Sequence, residues 1–190
     1  MFDAPQWVQW LLFGLSATAI GLIFLLSAVA AARQTFQFFP PPTKASWQHR
    51  LFLLLFRLYL YPLIGLSIFY SQPVHSKQAI LQYGIGGLLL LIGFGLAFLI
   101  TFQMGWRNAF GERRGLKTDG WFSISRNPVY VATWIGLIGW GLIANNLLVT
   151  ILLILWATMY LLAPFVEEPW LEKEYGEDYR TYKKRVRRFL

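Results

Sequence analysis

The chain has no cysteine in its 190 residues. Disulfides, thiolate metal sites and cysteine nucleophiles are therefore excluded. Histidine is almost as scarce: His49 and His75 stand alone and far apart, which argues against a histidine-based zinc or iron site. Charge is sparse too. Charged residues make up 14% of the chain against 56% hydrophobic, more apolar surface than a soluble domain of this length can hide. Negative charge is the scarcer sign, with 9 Asp and Glu against 17 Lys and Arg, and the net charge is +8. Because the apolar residues fall in long charge-free runs, that excess is expected to flank membrane spans rather than to bind nucleic acid. The length suits one compact domain. The expected class is an all-α integral membrane helical bundle, with about five transmembrane helices and a C-terminal amphipathic helix at the interface.

The first run, 7–32, carries no charge and is long enough to cross a bilayer core of about 30 Å. It lacks a basic leader and is too long for a signal peptide, so it is expected to be a mature span. Trp7 and Trp10 mark its starting interface. A linker with Pro40, Pro41 and Pro42 follows. The second span is expected over 51–70, with Pro62 inside it as a kink. Arg57 lies about two turns into this span and has two readings: a side chain snorkelling back to the interface, or a counter-charge for an anionic substrate. The third span, 79–105, is rich in glycine, which fits close helix packing or a ligand slot. Residues 106–127 form a polar loop. The charge-free run 127–166 is too long for one crossing, and Asn145-Asn146 divides it into a helical hairpin of about 129–144 and 147–165. Its first half is short for a span, so local thinning of the bilayer or an interfacial end is expected. After Pro164, residues Trp170, Leu171, Tyr175, Tyr179, Tyr182, Val186 and Phe189 recur at three- and four-residue steps. That pattern predicts an amphipathic tail helix on the membrane, broken or bent at Gly176 and closing over the hairpin end. Three spans over 1–104 and a polar loop, hairpin and tail over 105–190 make two regions. Lysine and arginine collect on one side, placing the 33–50 linker, the 106–127 loop and the C-terminus in the cytoplasm and the N-terminus outside.

Two polar stretches carry chemistry. In Arg126-Asn127-Pro128-Val129-Tyr130, an N-cap Asn before Pro at the first helical position is what any helix start uses, so the stretch has a structural reading beside a functional one. Glu167-Glu168 asks for more. Adjacent carboxylates at a membrane edge repel one another and pay desolvation unless a cation meets them. Tail arginines supply one such partner. A helix start at Pro169 would also favour acidic residues just before it.

Together, Asp119-Gly120, Ser125 to Tyr130, the apolar hairpin, and Glu167-Glu168 followed by Leu171, Tyr175-Gly176, Tyr179, Tyr182, Val186, Arg188 and Phe189 form a spaced pattern. Over about residues 105–190 it resembles the isoprenylcysteine carboxyl methyltransferase family, integral membrane enzymes that also resemble the phospholipid N-methyltransferases. Asn127 stands where many members have His, and Arg187 where Pro is usual. The resemblance implies S-adenosylmethionine as cofactor, held by Arg126, Asn127, Pro128, Tyr130, Glu167, Glu168 and Arg188. A glutamate would take the ammonium or ribose, an arginine the carboxylate, and Tyr130 with nearby tryptophans the sulfonium. The backbone amides after Asn127 would be further donors. Tyr130, Arg107 and Arg57 are the candidates beside the reacting groups, and no metal is required. The expected partner is a lipophilic acceptor entering from the bilayer, at a bacterial inner membrane or an endomembrane. No histidine lies in 105–190, so no ready base of near-neutral pKa is at hand; an anionic acceptor such as a carboxylate, with Arg57 or Arg107 as counter-charge, fits that lack. A sterol-reductase-like enzyme using NADPH and a non-catalytic membrane scaffold are the alternatives.

Overall fold

The structure is a computed structural model and describes residues 5–33, 38, 46–72, 79–105 and 115–190. Among the described residues there are five long helices and no strand. They are α1 (Gln6–Arg33), α2 (Trp47–Tyr70), α3 (Gly86–Met104), α4 (Pro128–Ala144) and α5 (Leu147–Arg185). A π-helical turn, Ile80–Ile85, leads into α3, and a 3-10 turn, Gly120–Ser123, precedes α4. Four of the five are long and apolar enough to cross a bilayer; α4, at 17 residues, covers about 25 Å. The third span thus opens as a π-turn rather than an α-helix, and Pro62 sits inside α2 without ending it.

One end of the bundle is tied by amides. Asn145 takes the left-handed conformation that turns the hairpin, with φ 44°. Asn146 caps α5 by accepting from Leu148 N (2.9 Å) and Val149 N, and donates to the Tyr70 carbonyl at 2.9 Å. Gln82 Nε2 donates to the carbonyls of Gln72 (3.1 Å) and Ile143 (3.0 Å). These bonds satisfy the loose carbonyls where α2 and α4 stop. The Tyr70 hydroxyl reaches Pro5 O at 2.7 Å, so the start of α1 lies at this end too. The opposite end receives Arg33, Trp47, Met104, the 115–127 loop and the chain beyond Val166.

The core is aromatic. Trp156 on α5 meets Phe56 (5.4 Å between ring centroids) and Tyr59 (5.7 Å) of α2, Phe94 of α3 and Trp140 of α4. Tyr59 is fully buried and donates to Leu152 O at 3.0 Å, while its own carbonyl accepts from Ser16 Oγ at 2.8 Å. α3 and α4 approach backbone to backbone: a Cβ on Gly93 would lie 2.1 Å from Gly136 N, and one on Gly139 2.3 Å from Leu90 N. Close packing is therefore what Gly86, Gly93, Gly136 and Gly139 serve.

The tail departs from the sequence expectation. No separate helix begins at Pro169; α5 runs on through Pro164 and Pro169. The path then reverses at Gly176, whose φ of 52° and ψ of −123° suit glycine. Straight helix from residue 168 to 183 would span about 22 Å, yet Lys183 Nζ lies 3.7 Å from Glu168 Oε2. Part of the aromatic face is turned inward. Tyr179, Tyr182 and Val186 are buried against Leu116, Phe122, Leu171 and Tyr175. Folding back lets the tail bury its rings against its own helix and the loop, which removes more apolar surface from water than one-sided contact with headgroups would.

Candidate functional site

The loop before α4 is stitched to the end of the chain. Ser125 and Arg187 form a parallel bridge, and Arg126 N donates to Arg187 O at 2.9 Å. Asn127 Nδ2 donates to Arg188 O, also at 2.9 Å. Asn127 therefore does not cap α4 with its side chain, contrary to the expectation from sequence; Pro128 at the first turn does start the helix. Of the amides after Asn127 expected as free donors, Tyr130 N and Val131 N are engaged by Asn127 O, and Pro128 has none. Farther on, Phe189 stacks on Trp134 of α4 at 4.9 Å, and Trp134 Nε1 donates to Ala157 O of α5 at 3.1 Å. The 3-10 turn is held by Tyr182, whose hydroxyl donates to Phe122 O at 2.7 Å.

These ties deliver three cations to one carboxylate. Arg188 grips Glu168 with two bonds, Nε to Oε1 at 2.8 Å and Nη2 to Oε2 at 2.9 Å. Arg126 Nη2 lies 3.2 Å from Oε1 and Lys183 Nζ 3.7 Å from Oε2. Glu168 is 5% exposed, so its charge is balanced by neighbours rather than by water. The Glu168 hydrogen bond in turn holds the Arg188 guanidinium above its ordinary pKa. Arg188 also lies over the Phe165 ring, 4.2 Å from its centroid.

Glu167 has a different neighbourhood. Its Oε1 accepts from the Tyr130 hydroxyl at 2.5 Å, and among the described residues no cation stands within ion-pair distance of it. The Tyr130 ring packs on Tyr160 at 4.5 Å. Glu167, Tyr130 and Tyr160 are each only partly buried, so the three share an accessible surface. Arg126 adds the complementary feature. Its side chain is 9% exposed, and its Nε and Nη1 are buried without a hydrogen-bond partner among the described residues. Buried guanidinium N–H groups of this kind are costly unless an acceptor arrives.

The structure thus gathers Arg126, Asn127, Pro128, Tyr130, Glu167, Glu168 and Arg188 at one end of α4 and α5. It does not bring Arg57 to them: α2 buries Leu55, Tyr59, Leu63 and Leu66, and Arg57 is exposed on another face. Arg107 lies outside the described residues. Lys183 and Tyr160 join the cluster although the sequence reading passed over both. Tyr160 had a signal, standing two helical turns before Glu167 and so on its face; Lys183 had none, because only the reversal at Gly176 brings it back. An apolar groove of about 350 Å³ between α1 and α2, lined by residues such as Trp10, Thr18 and Leu58, contains none of the candidate residues.

The family model described as phospholipid methyltransferase matches residues 81–178. No curated protein and no solved structure matches the chain. The match begins 24 residues before the expected 105, since 105 − 81 = 24, and so takes in α3 as well as the hairpin and both glutamates. With an integral membrane bundle and a match over more than half its length, the chain belongs to the phospholipid methyltransferase family, membrane methyltransferases related to the isoprenylcysteine carboxyl methyltransferases.

Proposed function

We propose that the protein transfers a methyl group from S-adenosylmethionine to a lipophilic acceptor that reaches the site from the bilayer. The observation that carries this reading is the inequality of the two glutamates. Glu168 is met by three cations, whereas among the described residues its neighbour Glu167 is hydrogen-bonded by a tyrosine hydroxyl and by no cation. A half-buried carboxylate beside two aromatic rings is suited to a cationic ligand, and a guanidinium with two orphaned N–H groups is suited to an anionic one. The cofactor presents both: an ammonium and a sulfonium, and a carboxylate. Glu167 would hold the cationic end, with Tyr130 alongside, and Arg126 the carboxylate. Arg188 is largely committed to Glu168 and acts by keeping that hub closed.

When bound, the cofactor supplies a methyl carbon already activated by its sulfonium, which passes to an acceptor lone pair as the C–S bond breaks and its electrons return to sulfur. The protein's share is alignment and exclusion of water. The acceptor is expected to be anionic, a carboxylate above all, because such a group needs no deprotonation. The resemblance to phospholipid N-methyltransferases favours a second acceptor, an amine, for which Glu167 is the one carboxylate of the pair free to take a proton.

The test is calorimetric titration of S-adenosylmethionine and of NADPH into detergent-solubilised protein. S-adenosylmethionine should bind, and Glu167→Gln should weaken it by roughly 10- to 150-fold, about 1.5–3 kcal/mol for losing one partner of a partly buried charge pair. Binding of NADPH instead would move the protein to the reductase reading, and binding of neither to a scaffold. Labelled methyl groups released from membrane extracts by alkali as methanol would identify an ester; a base-stable product would favour the amine.

A further inference from the structure

We propose that Tyr160 recognises the sulfonium charge, and so lets the protein distinguish the methyl donor from its demethylated product. The inference rests on the cofactor reading above. Tyr160 lies on α5 two turns before Glu167, so ring and carboxylate share a helix face. Its ring centroid is 4.5 Å from that of Tyr130, with the planes tilted by 36°. At that separation the rings touch, and a cation must lie against their outer surface rather than between them. Tyr130 donates its hydroxyl to Glu167, which leaves its own ring more electron-rich. On another side Trp156 meets Tyr160 edge-on, 6.1 Å between centroids and 83° between planes, which fixes the ring in place.

Tyr160 also offers its backbone. Pro164, four residues on, has no N–H, so the Tyr160 carbonyl loses its helical donor. Helix carbonyls point toward the C-terminal end, here toward Glu167. Ring face, freed carbonyl and nearby carboxylate all complement a sulfonium and its polarised methyl. None of them favours a neutral thioether.

Titration of the solubilised full chain with S-adenosylmethionine and with S-adenosylhomocysteine tests this. Tyr160→Leu should weaken S-adenosylmethionine roughly 5- to 30-fold, the range of a partly desolvated cation–π contact. It should change S-adenosylhomocysteine by less than about twofold, which also reports that the variant is folded. Tyr160→Phe keeps the ring and should leave both ligands within about twofold of wild type. Equal losses for the two ligands in the Leu variant, or wild-type affinity for both, would overturn the assignment while leaving the methyltransferase reading intact. A wild-type protein that binds neither ligand would overturn both.

Discussion

Neighbouring positions on a helix point about 100° apart, and this rotation separates the two glutamates. Glu168 turns toward the tail and meets Arg126, Lys183 and Arg188; Glu167 turns toward Tyr130. Desolvating a carboxylate is tolerable only when its partners are well placed, and the two-bonded Arg188 supplies the best geometry. Glu168→Gln would remove the one counter-charge that buried Arg126 has among the described residues. The expected cost is about 3 kcal/mol of stability, at the low end for a broken buried pair because Arg188 and Lys183 are about a third exposed. Thermal denaturation of the solubilised variant measures it. A melting temperature equal to wild type would show that the three cations are not held by Glu168. The sequence identified the pair and offered the tail arginines as partners, of which Arg188 is engaged and Arg185 stays exposed.

The helices divide by what their glycines do. At Gly93 of α3 and Gly139 of α4 glycine replaces side chains so that backbones touch, and a Cβ at either must move main chain rather than a flexible tip. Gly93→Ala and Gly139→Ala are each expected to cost about 1–3 kcal/mol, as overpacked cores do. Gly95→Ala, with nothing within 4 Å, should cost nothing by crowding. Equal stabilities across these variants, read from denaturation curves, would rule out the close α3–α4 seam. Gly176 works differently: it has open space around it but a positive φ, so Gly176→Ala strains the reversal rather than the packing. Glycine-rich α3 was legible in the sequence as a packing surface or a slot. Only the facing Gly136 and Gly139 decide for packing, and no one-dimensional pattern pairs two helices.

Across the whole molecule, the five long helices put the start of α1 and the Asn145-Asn146 turn at one end, with the candidate site and the tail at the other. Lysine and arginine crowd the site end, so that end is expected to face the cytoplasm. With no native cysteine to interfere, Asn145→Cys should label from outside and Lys184→Cys, on the exposed face of the tail, from inside. Labelling of both from the same side would refute five crossings. Hydropathy alone determined the class, the hairpin and four of the five helix positions to within a few residues, because a bilayer admits few solutions for an apolar run other than a helix long enough to cross it. The two polar stretches, read with the family resemblance, identified the candidate polar residues. Tertiary structure decided what they do to one another: which glutamate is neutralised, that two Arg126 N–H groups have no partner among the described residues, that Arg57 stands apart, and that the tail folds back against its own helix and the 115–127 loop. Those outcomes depend on a single reversal at Gly176 and on a few hydrogen bonds between Ser125–Asn127 and Arg187–Arg188. Such contacts join residues some sixty positions apart, where periodicity along the chain carries no information about who meets whom.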